Sequence, residues 1–201
     1  MSPAEVFRRF VPTEAVPYCV KLYESLNFEF KIKKARRTKF GDYRLDRLTG
    51  HQIITINNDL NPYAFLITYL HEVAHLLTFQ HYDHRVSPHG KEWKSQFKKV
   101  SLPVLDQKVF PIEVQSQVTK YLSNPKASSC SDPALYQILK RYDPASHFVF
   151  LKSLQVGQLF IFNDKRYRYL EKRRTRMVCE QLDNRRKYLI SQLAEVEIIV
   201  D

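Results

Sequence analysis

Residues 61–80 read NPYAFLITYLHEVAHLLTFQ, a largely apolar segment bounded by polar residues. Asn61 can cap the first free N–H groups of a helix, and Pro62 suits the first helical position because that position needs no N–H donor. The apolar residues that follow predict a helix running to about Gln80. The sequence HEVAH therefore lies deep inside a capped, apolar helix, where unliganded histidines would be costly to bury.

His71 and His75 are four residues apart within that helix. Residues four apart lie about 40° from each other around a helix axis, so the two imidazoles face one point in space. Glu72 lies about 100° from His71, too far round to be a ligand, but its side chain can reach a water molecule beside the metal. Zinc lowers the pKa of such a water toward neutrality, and a nearby carboxylate can take its proton. The spacing therefore predicts a zinc site with Glu72 as the base.

A catalytic zinc site needs a third protein ligand. His81 occupies the last position of the HExxHxxGxxH pattern, but Thr78 stands where that pattern needs glycine. His84 lies in a polar loop with nothing to anchor it. The sequence therefore offers four candidates, which are His81, His84, His89 and Glu92.

Among these four candidates, the spacing favours His89. It is followed by Gly90 and shares a helical face with Trp93 and Phe97, which would pin a second helix to the first. The same packing would aim the His89 imidazole at the metal. Glu92 would suit a zincin whose third ligand is an acid on a later helix, but it points away from the Trp93 face.

The segments HEVAHLL (71–77) and HGKEW (89–93) closely resemble the SprT-like family, whose pattern is HExxH followed after a loop by HGxxW. The resemblance covers roughly residues 15–110. It implies a zincin-like domain in which His71, His75 and His89 bind zinc and Glu72 is the catalytic acid. The family includes Spartan-type proteases, which degrade proteins crosslinked to DNA.

The rest of residues 1–147 is expected to complete an α+β domain around the motif helix. Helical patterns occur within residues 3–26, where Thr13 is expected to cap the second helix, and again near 111–123 and 133–142.

A short antiparallel sheet is expected between the first helices and the motif helix. Apolar and charged residues alternate from Phe28 to Lys33, and residues 53–57 are rich in isoleucine. The strand at 52–57 is either an edge that could pair with an extended peptide or an interior strand. The basic residues between Lys31 and Lys39 fit a polyanion site or a solvated strand edge.

Residues 148–201 are predicted to form a small β module, with strands near 158–162 and 167–170. Many SprT-like proteins carry a zinc ribbon with paired cysteines in this region. Cys130 and Cys179 cannot form one, so a single zinc ion is expected.

The β module is a candidate nucleic-acid binder. Basic side chains follow phosphates, and aromatic rings such as those of Tyr167 and Tyr169 can stack on bases. The alternative is a solvated hairpin whose tyrosines pack inward. The basic residues concerned are Lys165, Arg166, Arg168, Lys172, Arg173, Arg174 and Arg176.

Composition favours a basic globular protein. The net charge is +11 over 201 residues, which would attract polyanions, while 44% hydrophobic residues provide a core. The three cysteines are far apart, which fits a reducing compartment. No apolar run of leader or membrane-spanning length is present, so we expect a cytoplasmic protein without membrane partners.

Together these features predict a zinc-dependent metallopeptidase in which zinc and Glu72 activate water, with a protein or peptide substrate and DNA or RNA as a candidate partner. The alternative is a non-catalytic, zinc-stabilised protein that binds nucleic acid or regulates. Hydrolysis of a non-peptide amide is a third reading, because HExxH says little about the substrate pocket.

Overall fold

The computed structural model describes residues 2–36, 39–106, 109–126, 132–144 and 148–199, without the side chains of His84 and Asp106. The chain divides into two compact units, Met1–Asp143 and Pro144–Asp201. The boundary expected near residue 147 lies outside the described residues.

The first unit contains six α-helices in its described residues. They are α1 (Pro3–Phe10), α2 (Val16–Leu26), α3 (Pro62–Tyr82), α4 (Lys91–Asp106), α5 (Ile112–Ser123) and α6 (Pro133–Lys140). The helices expected near 111–123 and 133–142 are thus present. Thr13 does not cap α2, however, because it begins a short 3₁₀-helix, Thr13–Ala15, and α2 starts only at Val16.

The sheet of this unit contains β1 (Glu29–Lys33), β2 (Gly41–Leu45) and β3 (Gln52–Asn57). The α+β class is confirmed, but the expected antiparallel arrangement is wrong. The strand order is β1-β3-β2, with β3 antiparallel to β2 and parallel to β1. β3 is the most completely buried of the three strands, and the centre of a sheet is its most buried position. β3 therefore lies in the centre, with β1 on one side and β2 on the other.

The motif helix α3 runs through the core and is apolar nearly all round. Asn61 caps it as predicted, because its side-chain oxygen accepts hydrogen bonds from the N–H groups of Tyr63 and Ala64. The Tyr69 hydroxyl donates to the carbonyl oxygen of Cys19 on α2 at 3.1 Å. None of the helices in the described part of the chain is long and apolar enough to cross a bilayer.

Residues 148–199 of the second unit form a six-stranded antiparallel sheet of order β4-β9-β5-β6-β7-β8. Its strands are β4 (Phe148–Phe150), β5 (Leu159–Phe162), β6 (Lys165–Arg173), β7 (Arg176–Gln181), β8 (Lys187–Ser191) and β9 (Glu195–Ile198). Tyr167 and Tyr169 lie in its hydrophobic core with Phe160 and Met177. The inward alternative is therefore the correct one for these two tyrosines, and their rings are not free to stack on bases.

Candidate metal centre

Three histidines converge at one point beside the motif helix. His71 and His75 come from adjacent turns of α3, and His89 comes from the residues just before α4. Their Nε2 atoms are 3.2 Å apart for His71 and His75, 2.9 Å for His75 and His89, and 3.3 Å for His71 and His89. Together they form a group that could hold a metal ion.

The chemistry of this donor set fits a cation better than it fits a hydrogen-bonded cluster. A neutral ring nitrogen either donates or accepts, so three Nε2 atoms in a triangle always leave one pair mismatched. Tetrahedral zinc with Zn–N bonds of about 2.0–2.1 Å would separate its nitrogen ligands by about 3.3 Å, close to the observed spacing.

Burial keeps all three imidazoles neutral and able to ligate. It lowers the pKa of His71 well below its ordinary value, with His75 and His89 adding to the effect. It lowers the pKa of His75 to about 3 and also lowers that of His89. At neutral pH the lone pairs are therefore available to a cation, since protons do not compete for them.

His89 reaches the centre through an unusual backbone conformation. Its φ is 62°, in the left-handed region that residues other than glycine seldom occupy. The N–H of Gly90 donates to the carbonyl oxygen of Ser87 at 2.9 Å, and the carbonyl of Gly90 accepts from the Lys94 N–H in the first turn of α4. A tight turn joined directly to a helix thus fixes the direction of the His89 side chain.

Trp93 supports all three histidines at once. Its ring centroid lies 4.6 Å from that of His71, 5.3 Å from that of His75 and 4.7 Å from that of His89. The indole is fully buried, and its Nε1 donates to the carbonyl oxygen of His71 at 3.4 Å. All three histidine rings therefore pack against the only tryptophan of the chain.

The other ligand candidates do not join this group in the described part of the structure. His81 is exposed, and its Nδ1 lies 2.7 Å from the carbonyl oxygen of Leu77 in its own helix. Glu92 makes an ion pair with Lys91 at 3.8 Å and is not one of the grouped residues. The side chain of His84 lies outside the described part of the chain.

Glu72 is buried next to the histidines, with 6% of its surface exposed. Desolvation raises the pKa of its carboxyl group to about 8, and the charge of Asp42 acts in the same direction. A hydrogen bond from the Tyr43 backbone and the charges of Arg36 and Lys39 oppose that rise in pKa. Once ionised, this buried carboxylate is therefore a stronger proton acceptor than an exposed glutamate.

An open cleft of about 620 Å³ gives access to these residues. Its lining includes strand β2, Asp83 and residues 86–89 from the segment after α3, and the side chains of His71, Glu72 and His75. Sequence reasoning did not connect β2 with the site. The alternation of Gly41, Tyr43 and Leu45 was visible, but nothing local to β2 indicates that it crosses α3 at Glu72.

Comparison with known proteins identifies a family. The SprT-like family profile matches residues 9–116, which is more than half of the chain. The chain belongs to the SprT-like family. A 41-residue stretch is 56% identical to the protein named "Protein SprT" of Vibrio parahaemolyticus serotype O3:K6 (strain RIMD 2210633). That match spans 20% of this chain and 24% of the relative, and no solved structure matches.

The basic residues of the β module lie outside the SprT-like match. Arg166 pairs with Asp183 at 3.4 Å, and Arg168 lies 4.0 Å from Glu180. Among the described residues, no carboxylate lies within ion-pair distance of the other five, which are Lys165, Lys172, Arg173, Arg174 and Arg176.

Proposed function

We propose that this SprT-like chain is a zinc metallopeptidase. The observation that carries the proposal is the convergence of the Nε2 atoms of His71, His75 and His89 beside the buried carboxyl group of Glu72, at the base of an open cleft. Three neutral imidazoles with an accessible fourth position are the ligand set of a catalytic zinc site, whereas structural zinc sites are closed by four protein ligands.

The residues of the chain divide the chemistry between them. When bound, zinc would polarise the substrate carbonyl and lower the pKa of the attacking water. Glu72 takes a proton from that water as its oxygen forms a bond to the carbonyl carbon. The same carboxyl group then delivers the proton to the amide nitrogen as the C–N bond breaks, so one buried acid serves both halves of peptide hydrolysis.

Strand β2 suits the binding of an extended peptide. Of the two readings of the strand Gln52–Asn57, an edge or an interior strand, the interior one is correct, because the strand is paired on both sides. Within the described sheet, β2 pairs only with β3, and its residues line the cleft. A substrate strand added to β2 would use main-chain hydrogen bonds, which favours cleavage of unfolded or extended segments over folded ones.

A Glu72→Gln variant tests the proposal. The amide cannot accept the proton, so cleavage of a disordered protein should fall by at least about 100-fold while metal analysis still finds one zinc per chain. Glu92→Gln is the matched control and should keep activity, because Glu92 is not part of the centre. Zinc-loaded wild-type protein that cleaves no disordered protein, with or without DNA, would rule the proposal out.

A second candidate function is nucleic-acid binding through the end of the β6–β7 hairpin. The observation that favours it is that Lys172, Arg173, Arg174 and Arg176 lie within five positions without a carboxylate partner among the described residues. Such a group fits a phosphodiester backbone. Titration of a fluorescent oligonucleotide measures it, and binding that persists in Glu72→Gln would be compatible with a non-catalytic role.

A further inference from the structure

Gly41, at the start of β2, makes the closest approach of the sheet to the catalytic carboxyl group. A Cβ atom at this position would lie 2.7 Å from Oε1 of Glu72, 2.9 Å from its Cγ and 2.7 Å from Cγ2 of Thr68. All three distances are shorter than real Cβ contacts. Only glycine, which has no side chain, allows β2 to lie this close to Glu72.

The glycine is needed here for space and not for backbone conformation. Gly50 and Gly157 have φ values of 71° and 93° and nothing within 4 Å of an added Cβ, so they serve turns. Gly41 belongs to a strand and has no positive φ. The sequence alone does not separate these two uses of glycine.

The groups around Gly41 have little freedom to move aside. Thr68 is 4% exposed, and its hydroxyl donates to the carbonyl oxygen of Ala64 within α3 at 2.8 Å. The residue before β2 is also fixed in place, because the Asn57 N–H donates to the carbonyl oxygen of Phe40 at 2.9 Å. The Arg36 guanidinium donates to Asn57 Oδ1 at 2.7 Å.

The same passage of β2 brings its backbone against the carboxyl group. Gly41 and Tyr43 pair with Ile56 and Ile54, whose side chains are fully buried, so both residues belong to the face of β2 directed at the core. The position that a Cβ atom of Gly41 would take is already within 3 Å of both Oε1 and Cγ of Glu72, so the strand backs the carboxyl group directly. A strand held even 1 Å farther from α3 would open space beside the carboxyl group and let it rotate.

We propose that Gly41 is a positioning residue: its missing side chain lets β2 close on α3, so that the backbone of β2 packs against Glu72 and fixes the orientation of its carboxyl group in the cleft. The role of Gly41 in packing β2 against α3 rests on its close approach to Glu72 and Thr68. The kinetic part rests on the proposed peptidase function, because fixing the Glu72 carboxyl group matters for turnover only if that group transfers the proton.

A thermal cycle tests the contact without using activity. Gly41→Ala should lower the melting temperature by ~3–10 °C, as expected for overpacking a rigid site. A Glu72→Ala/Thr68→Ser variant lacks all three contacted atoms. In that variant, adding Gly41→Ala should shift the melting temperature by less than ~2 °C. Equal shifts in the two backgrounds would overturn the inference, because the destabilisation would then have another origin.

Kinetics separate positioning from simple packing. With zinc-loaded protein, Gly41→Ala should lower kcat by ~10- to 100-fold, leave KM within about twofold and retain one zinc per chain. Unchanged kcat, or a loss of kcat that follows loss of zinc, would overturn the positioning role. If wild-type protein cleaves nothing, the proposed function fails, while the thermal cycle still decides whether Gly41 holds β2 against Glu72.

Discussion

His89 is the one member of the candidate centre that lies outside α3, and it reaches the centre with a left-handed backbone. That conformation costs about 1 kcal/mol or more for a residue other than glycine. The turn at Gly90 and the buried Trp93 maintain it. The proposed metal site would account for this cost, because it needs the His89 imidazole beside those of His71 and His75.

His89→Ala should weaken metal binding by at least about 100-fold, because it removes one of three convergent ligands. Metal analysis after gel filtration measures the loss directly. Trp93 provides a second readout, since its ring contacts all three histidine rings. Co²⁺ bound at the centre should quench the fluorescence of this single tryptophan in wild-type protein and much less in the variant.

His81→Ala is the matched control for that experiment. His81 lies on the same helix but is exposed and faces a backbone carbonyl, so the variant should keep both the metal and the quenching. Tight zinc in His89→Ala combined with its loss in His81→Ala would contradict the assignment. It would move the third ligand to His81.

At the scale of single elements, the β6–β7 hairpin concentrates charge at its end. Arg173 lies directly opposite Arg176 in the strand register, and like charges in that position destabilise a sheet. Arg174, in the turn between them, has φ 55°, where glycine or asparagine is usual. Both features cost stability in the free protein, and a bound polyanion would offset the repulsion between the cations.

A double variant, Arg173→Ser/Arg174→Ser, should weaken oligonucleotide binding and reduce its salt dependence. Each lost phosphate contact lowers the slope of log K against log salt by about 0.9 for duplex DNA, so a change of about 2 is expected. Anisotropy titrations at several salt concentrations measure both the affinity and the slope.

The matched control removes two arginines from the same strand, in Arg166→Ser/Arg168→Ser. Their charges are already paired with Asp183 and Glu180, so this variant should change the slope by clearly less than the hairpin variant. Equal effects of the two variants would show that net charge alone governs binding. No measurable binding by wild-type protein would remove the second candidate function.

Across the whole molecule, each unit buries a cysteine in its own hydrophobic core. Cys19 and Cys179 are both fully buried and free, one in Met1–Asp143 and the other in Pro144–Asp201. Burial raises the pKa of the Cys19 thiol to about 12 and that of the Cys179 thiol to about 11. Both thiols therefore stay protonated and inaccessible at neutral pH in the folded chain.

In a Cys130→Ser variant, neither remaining thiol should react with Ellman's reagent within minutes at pH 8. Both should react at once in guanidinium chloride, because unfolding exposes them and restores their ordinary pKa. Counting reacted thiols against time gives the result. Rapid reaction of one thiol under native conditions would show that the unit around it opens readily.

The same pKa shifts predict the direction of alkaline destabilisation. As pH rises above about 9, the unfolded chain loses its thiol protons while the folded chain keeps them, so stability falls until the folded pKa is reached. For Cys19 the loss is about 2 kcal/mol between pH 9 and pH 10.5. Urea unfolding of wild type and Cys19→Ala at both pH values measures this, and an equal pH dependence in the two proteins would contradict it.

Short-range features of the chain could be predicted because their causes lie within one or two helical turns. Asn61 caps α3 through N–H groups two and three residues away. His71 and His75 converge because a helix repeats every 3.6 residues. The alternation in β1 likewise appears within a few residues, and these patterns are sufficient for the α+β class, the motif helix and two of the three grouped histidines.

The residue pattern was therefore enough to favour His71, His75 and His89 as metal ligands and to put two of them on one helix. The parallel pairing of β1 with β3, the passage of β2 over Glu72 and the contacts of Trp93 with all three histidines depend on the fold of the whole domain. Gly41 and Glu72 are 31 positions apart. Their contact depends on which strands pair with β3. That pairing is set by the free energy of the whole core, so it cannot be predicted from a short segment of sequence.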